Sequence, residues 1–277
     1  MINRSIVSVV LLFISSSIFA ASNANEGLAD QVLAKAGLYE MIASFPEQMN
    51  AQAAQQSPFS TNPETTQKAI NVLVSSFDEH QAKAYMLEYA LKNTTSDELK
   101  QMHDWLSSAL GARFIASEIE TASVEGQSNL MRYAADLNSN PPSQQRIALI
   151  QEFEQKAMLT ENVMDMMKTM MIGMANGINS VAPESERLSA EEAEAKMTEV
   201  IGNMIPLMEK MMWQQMLLIA HYSYRDYSEG EIREYISFLQ GDVGQKYIGL
   251  SKGAGEVFGR IMSGALADIV KDSEHKK

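Results

Sequence analysis

The chain has 277 residues, no cysteine, and 35 aspartates and glutamates against 22 lysines and arginines, which gives a formal net charge of −13 at pH 7. Such an acidic chain is repelled by nucleic acid and by anionic lipid, and its only basic cluster is the tail of His275, Lys276 and Lys277. The lack of cysteine excludes disulfide bonds and a lipid-anchored lipoprotein, while the length suffices for a hydrophobic core without covalent cross-links.

The first 24 residues have the pattern of a cleavable signal peptide. A positive start, Met1–Arg4, precedes an apolar run, Ile6–Phe19, that is too short to span a bilayer comfortably. Small residues at Ser22 and Ala24 predict cleavage after Ala24, with Ala20 as a second choice; an uncleaved membrane anchor is the alternative. No later stretch reaches about 18 consecutive apolar residues, so we expect a periplasmic protein with no transmembrane span after signal removal.

The rest of the chain has helical periodicity, and we predict an all-α fold with no significant sheet. The best strand candidate, Asn71–Phe77, fits a helical i, i+3, i+4 pattern better. Breaks are expected at Gln56–Thr66, at Asn138–Gln145 and at Asn179–Leu188, and Pro206 should start or interrupt a helix.

Two stretches of twenty residues are similar in chemistry and lie 133 positions apart, Thr95–Phe114 and Ser228–Tyr247. Both begin with a capping box, Thr95-x-x-Glu98 and Ser228-x-x-Glu231, which predicts a helix start at each. Each continues with an apolar stripe and then a glycine where one helix ends and the next begins. The aligned pairs outside the capping boxes are Leu99/Ile232, Lys100/Arg233, Trp105/Phe238, Leu106/Leu239, Leu110/Val243, Gly111/Gly244, Arg113/Lys246 and Phe114/Tyr247.

A second, weaker similarity relates Ala34–Ile42 to Gln155–Val163, at a smaller offset of 121. Together the two similarities predict a duplicated helical unit. We therefore divide the chain into a signal peptide at 1–24, unit 1 at 25–137, unit 2 at 143–270 and a charged tail at 271–277.

The repeated motif resembles the bacterial exported family known as domain of unknown function 2059. The similarity is clearer over residues 227–248 than in the first copy at Thr94–Phe114. Where family members carry Ser-Pro before x-Gly, this chain has Ser108-Ala109 and Gly241-Asp242. The resemblance implies an all-helical periplasmic protein with two copies of the unit, and it supplies no catalytic residues.

Methionine is the most unusual feature of the composition, because 13 of the 20 methionines lie between Met158 and Met216. Two sets share a helix face: Met164, Met167, Met170, Met171 and Met174, and Met204, Met208, Met211 and Met212. Three interpretations remain open: core packing, an adaptable apolar surface for a partner or lipid-like ligand, and a soft-metal site for Cu(I). The metal candidates are Met167, Met170, Met171 and Met174.

The segment Gly249–Gly253 matches a Gly-x-Ser-x-Gly nucleophile elbow, with Ser251 as the serine and His275 as a downstream histidine. We reject the match because the serine lies in a helical stretch and the histidine in a charged tail. Gly249 and Gly253 are four residues apart, which favours close helix packing or self-association, with membrane insertion as an alternative. Glu118 and Glu120 lie two positions apart on different helix faces, so we do not expect a carboxylate pair.

These observations predict an exported, non-enzymatic helical binding or interaction protein without a cofactor or catalytic residues. The expected partner is another protein or a small apolar ligand, and self-association into homo-oligomers through the glycines is a further expectation. The candidate interaction residues are Met204, Met208, Met211, Met212, Gly249 and Gly253. The alternative function is a copper or apolar-ligand carrier that uses the methionines.

Overall fold

A computed structural model of the protein describes residues 24–56, 71, 74–137, 139–181, 188–189, 191–192, 195, 202 and 205–274. These residues form helices and no strand, so the predicted all-α class is confirmed. Among them, no helix combines the length and the hydropathy that crossing a bilayer requires. The proposed signal sequence lies outside the described residues except for Ala24, and so do Met204 and His275.

Most successive helices are joined by short connections, whereas the stretches between α2 and α3 and between α8 and α9 lie largely outside the described residues. They are α1 (24–35), α2 (Leu38–Gln56), α3 (Glu79–Asn93), α4 (Ser96–Ser107), α5 (Ala109–Ala122), α6 (Val124–Asp136), α7 (Gln144–Ala157), α8 (Leu159–Val181), α9 (Ile205–Ser223), α10 (Glu229–Gln240) and α11 (Asp242–Glu274). The predicted break around Pro141 and Pro142 separates α6 from α7, and Pro206 lies in the first turn of α9.

Both predicted capping boxes are present at the starts of α4 and α10. At the first, the Glu98 amide donates to the Thr95 hydroxyl while the Glu98 carboxylate accepts from the Thr95 amide at 2.7 Å. Ser228 and Glu231 repeat the arrangement, with a corresponding amide–carboxylate distance of 2.8 Å. The caps therefore set the same boundaries in both stretches: α4 and α10 each have 12 residues.

The two glycines that follow these helices permit a close approach of the backbone. A Cβ atom on Gly111 would lie 2.2 Å from the carbonyl oxygen of Trp105, and one on Gly244 would lie 2.0 Å from that of Phe238. Any larger residue would force the backbone apart at these corners, which explains why both copies carry glycine.

The weaker similarity also has a structural counterpart, at the ends of α1 and α7. Gly37 has a φ of 73° and Met158 a φ of 53°, so both helices end on a left-handed residue. The two residues are 121 positions apart, and α2 and α8 begin directly after them at Leu38 and Leu159. These shared boundaries support the predicted duplication.

Residues of both predicted units contribute to one hydrophobic core, which includes Leu33, Met102 and Phe114 from the first and Ile232 and Leu250 from the second. The most extensive helix pair is α8 with α11. In addition, α3 packs on α11, while α9 packs on α5 and α6. Helices of each predicted unit thus pack against helices of the other.

Equivalent positions of the two predicted units interact with each other. Arg113 of the first motif donates to Glu231 of the second capping box, with an N–O distance of 2.6 Å. Conversely, the pKa of Glu98 is lowered mainly by the Thr95 amide and also by the charge of Lys246, the counterpart of Arg113. The equivalent rings of Trp105 and Phe238 stack on each other with their centroids 4.5 Å apart. These interactions join positions that the predicted duplication makes equivalent.

Candidate binding cavities

Two neighbouring cavities lie at the centre of this arrangement. The smaller has a volume of about 340 Å³ and lies among α5, α7, α8, α9, α10 and α11. The larger, of about 860 Å³, lies between the α1–α2 corner, α5, α6 and α11. Both are lined by Glu118, Ala122, Tyr247 and Ser251, so the two cavities meet at one shared wall.

Equivalent positions of the duplicated unit line the two cavities. Glu118 and Ser251, which lie 133 positions apart, belong to the shared wall. At the offset of 121, corresponding pairs line the larger and the smaller cavity respectively: Ala36/Ala157, Leu38/Leu159 and Met41/Asn162. The two cavities are thus lined in part by positions that the predicted duplication makes equivalent.

Glu118 is the centre of a buried polar cluster. The Tyr224 hydroxyl donates to Glu118 Oε1 at 2.8 Å, and the Tyr235 hydroxyl donates to the same oxygen at 3.0 Å. The two tyrosines are buried, whereas part of the Glu118 side chain remains accessible and lines both cavities. Its second oxygen, Oε2, accepts no hydrogen bond from the described residues.

Burial determines the protonation of this cluster. It raises the pKa of Glu118, although the hydrogen bonds from Tyr224 and Tyr235 partly oppose the shift. Burial also raises the pKa of Tyr224, Tyr235 and Tyr247, and the nearby charge of Glu118 adds to each of these shifts. All three hydroxyls thus stay protonated at neutral pH.

A second polar feature lies in the wall of the smaller cavity. Asn162 donates through Nδ2 to the carbonyl oxygen of Ala157 at 3.1 Å. Its side-chain oxygen Oδ1 is buried and accepts no hydrogen bond within the described part of the chain. A buried acceptor without a partner is uncommon in folded proteins and indicates a place for a donor from a water molecule or a ligand.

The cavities have the composition of a small-molecule site rather than of a metal centre. The smaller has mostly apolar and aromatic walls with a few convergent polar groups, as ligand pockets do. Across the described residues, no group of three histidines, cysteines, aspartates or glutamates is placed to hold a metal ion. The hydrogen bonds of Glu118 run to tyrosine hydroxyls and not to a nucleophile paired with a base.

The predicted methionine sites are only partly described. Met167 is half-buried in α8, and the side chains of Met170, Met171 and Met174 lie outside the described residues. On α9, Met208 and Met212 are half-buried, whereas Met211 is 62% exposed and Leu207, one turn away, is 66% exposed. The soft-metal interpretation stays a prediction, and an anaerobic Cu(I) titration tests it.

The two candidate glycines of α11 have different environments. No atom lies within 4 Å of a Cβ built on Gly249. A Cβ on Gly253, in contrast, would lie 2.3 Å from ring atoms of Tyr89. Gly253 therefore serves packing between α11 and α3 within one chain, while self-association through this stretch stays a prediction.

Glu118 was not expected as a site residue from the sequence, and Ser251 was considered only as a nucleophile. A signal for Glu118 was available: it continues the buried stripe of Phe114 and Ile115 at helical spacing, so a charged residue occurs on the apolar face of α5. Glu120 points elsewhere and accepts a hydrogen bond from the Tyr222 hydroxyl at 2.9 Å. The two glutamates thus have separate partners.

Comparisons with protein-family models, with curated proteins and with solved structures found no significant match to this chain.

Proposed function

We propose that the protein is an exported, non-enzymatic helical binding protein that holds a small, mainly apolar ligand in the two central cavities. The observation that carries this proposal is the shared wall, where a partly buried carboxyl group lies between cavities of about 340 and 860 Å³. Both volumes fall in the range of about 300–1,000 Å³ that small-molecule pockets have. The proposal assigns the binding role to this wall rather than to the methionines.

Export and family membership belong to the same proposal. The amino-terminal pattern favours passage through the inner membrane into the periplasm, and the duplicated caps favour the family with which the motif was compared. A carrier of apolar molecules is useful in an aqueous compartment, because such molecules are poorly soluble there.

An uncharged fluorescent probe, N-phenyl-1-naphthylamine, tests whether the cavities bind apolar molecules. We expect saturable binding to the purified protein with an increase in fluorescence. Ala122→Phe should weaken binding by about tenfold or more, because Ala122 lines both cavities and the larger side chain fills them.

Ala116→Phe is the matched control. Ala116 lies on the same helix, is exposed and lines neither cavity, so the substitution should leave probe binding unchanged. No saturable binding to the wild-type protein, or an equal effect of the two substitutions, would refute the proposed site.

A protein-interaction surface on α9 is a second candidate function, favoured by the exposure of Leu207 and Met211 one helical turn apart. Met211→Glu should then abolish association with a partner and leave probe binding in the cavities unchanged. Loss of probe binding in this variant would instead connect the α9 surface to the cavities.

A further inference from the structure

We propose that the central cavities select amphiphilic cations, with an apolar chain in the cavities and one ammonium group against Glu118 Oε2. This inference rests on the proposed function and adds the chemical class of the ligand. Its evidence is the direction of the hydrogen bonds at the shared wall, the unpaired oxygen Oε2 of Glu118, the aromatic walls and the charges around the cavities.

The hydrogen bonds of Glu118 leave an acceptor for a ligand. Tyr224 and Tyr235 both donate to Oε1, which fixes the orientation of the carboxyl group. Oε2 receives no donor from the described residues, and the accessible part of Glu118 faces both cavities. An ammonium group carries three donors and no acceptor, so it matches an oxygen that lacks a donor.

Asn162 has an unpaired acceptor behind the wall of the smaller cavity. Its Oδ1 is buried and has no donor among the described residues, while its Nδ2 already donates to the carbonyl oxygen of Ala157. Because Asn162 Oδ1 is buried in the wall, Glu118 Oε2 is the acceptor that the wall offers to a ligand that brings donors. A carboxylate ligand would bring only acceptors and would leave this oxygen unsatisfied.

The aromatic walls also favour a cation. The smaller cavity is lined by the rings of Phe153, Tyr224, Tyr235 and Tyr247, and no lysine, arginine or histidine is among its described lining residues. The faces of aromatic rings attract cations, and the attraction is stronger where water is excluded.

The formal charges around the larger cavity also favour a cationic ligand. Its described lining contains four glutamates and one arginine: Glu40, Glu47, Glu118, Glu125 and Arg132. This negative balance attracts cationic ligands and repels fatty acids and other anionic amphiphiles. It also matches the net charge of −13 of the whole chain.

Burial makes an unliganded Glu118 carboxylate unfavourable, as its raised pKa shows. An ammonium group at hydrogen-bond distance would stabilise the charged form, because opposite charges attract strongly where little water is present. The apolar chain of the ligand supplies the remaining affinity by leaving water.

Displacement of bound N-phenyl-1-naphthylamine tests the selectivity. The competitors are dodecylammonium, dodecanol and dodecanoate at pH 7, each below the concentration at which it aggregates. We expect dodecylammonium to displace the probe at a concentration about tenfold or more below that of dodecanol, since a hydrogen bond to a charged group contributes about 1.5–3 kcal/mol. Dodecanoate should be the weakest competitor.

Glu118→Gln should remove the preference for dodecylammonium over dodecanol, measured as the ratio of the two displacing concentrations against the variant's own probe affinity. Glu120→Gln is the matched control, because it makes the same charge change on the same helix at a residue that lines neither cavity. Its preference should equal that of the wild-type protein. Equal displacement by the ammonium and the alcohol in the wild type, or the same preference in both variants, would overturn the inference.

Ser251→Lys provides an independent test that keeps Glu118 in place. Ser251 is exposed and lines both cavities, so a lysine there should reverse the order and make dodecanoate a better competitor than dodecylammonium. An unchanged order would overturn the inference. If the wild-type protein does not bind the neutral probe at all, the proposed function fails; if it binds the probe without preference for the cation, only the ligand class fails.

Discussion

The different environments of two glycines on α11 lead to opposite predictions for the same substitution. Both lie in the interior of the helix, Asp242–Glu274, where alanine is more favourable than glycine by about 0.8–1.0 kcal/mol. A Cβ on Gly249 would meet no atom within 4 Å. Gly249→Ala should therefore raise the free energy of unfolding by about 1 kcal/mol, or Tm by roughly 2–4 °C.

Gly253→Ala should have the opposite effect and lower the free energy of unfolding. Its Cβ would lie 2.3 Å from Cδ1 and Cε1 of Tyr89 and 2.8 Å from Cγ, which are positions that no side-chain atom can share. Because Cγ lies at the base of the ring, rotation of the ring alone cannot relieve the overlap, and α11 and α3 must separate. Overpacking of this kind costs about 1–3 kcal/mol. After the gain in helix propensity, the net loss is up to about 2 kcal/mol.

Urea denaturation followed by far-UV circular dichroism measures both variants against the wild type. The helix-propensity gain is common to both, so the difference between them isolates the contact with Tyr89 and should be about 1–3 kcal/mol. In a Tyr89→Ala background the overlap disappears, and Gly253→Ala should become as stabilising as Gly249→Ala. Equal stability of the two single variants would show that α11 does not approach α3 as closely as described.

Three further predictions concern the core, the buried carboxyl group and the helix caps. Phe114 is fully buried with its ring centroid 4.3 Å from those of Tyr227 and Tyr235, so Phe114→Ala should lower the free energy of unfolding by about 3–5 kcal/mol in urea denaturation; a loss below about 1 kcal/mol would contradict this packing. The folded pKa of Glu118 is raised above its ordinary value of 4.5, so the folded state holds a proton that the unfolded state has lost, and stability should fall as pH rises from 4.5 through the folded pKa. Thermal denaturation across this range should show a weaker dependence of stability on pH for Glu118→Gln than for the wild type. The two slopes should differ by at most about 1.4 kcal/mol per pH unit, the value for one proton, and equal slopes would count against the burial of this group. Thr95→Ala should lower stability by about 1 kcal/mol, as should Ser228→Ala, and a chemical denaturation series in which neither variant differs from the wild type would show that the capping boxes are unimportant.

The boundaries of α4 and α10 could be predicted from the sequence because their determinants are local. A Ser or Thr three residues before a Glu satisfies the first amides of a helix within a single turn, wherever the helix packs. The same holds for the corners at Gly111 and Gly244, which bring together atoms only a few residues apart. The all-α class followed from the same local periodicity.

The site could not be found in this way, because its partners are distant in the sequence. Glu118 accepts hydrogen bonds from Tyr224 and Tyr235, which are 106 and 117 residues away. Local spacing shows only that Glu118 lies on an apolar face. It cannot show that another segment supplies hydroxyls there, and a lone glutamate between apolar residues has the same local pattern whether or not a cavity is present. The same limit applies to Gly253, whose partner Tyr89 belongs to the other predicted unit.

The predicted duplication relates two residues of the wall that the cavities share. At the offset of 133 positions Glu118 corresponds to Ser251, and both residues line the shared wall. The tyrosines that bind Glu118 have no polar counterparts, since Tyr224 corresponds to Leu91 and Tyr235 to Met102.

Of the two equivalent positions, Glu118 is therefore the one with a carboxyl group that tyrosine hydroxyls bind. Two equal polar sites at one junction would place two buried charges close together, and like charges in a water-poor environment repel each other strongly. With a serine as the counterpart of Glu118, the junction keeps a single charge, and the cavities on either side keep room for apolar chain. The two predicted units thus contribute unequal residues to the shared wall, and a site with a single carboxyl group suits a ligand with one charged end and one apolar end.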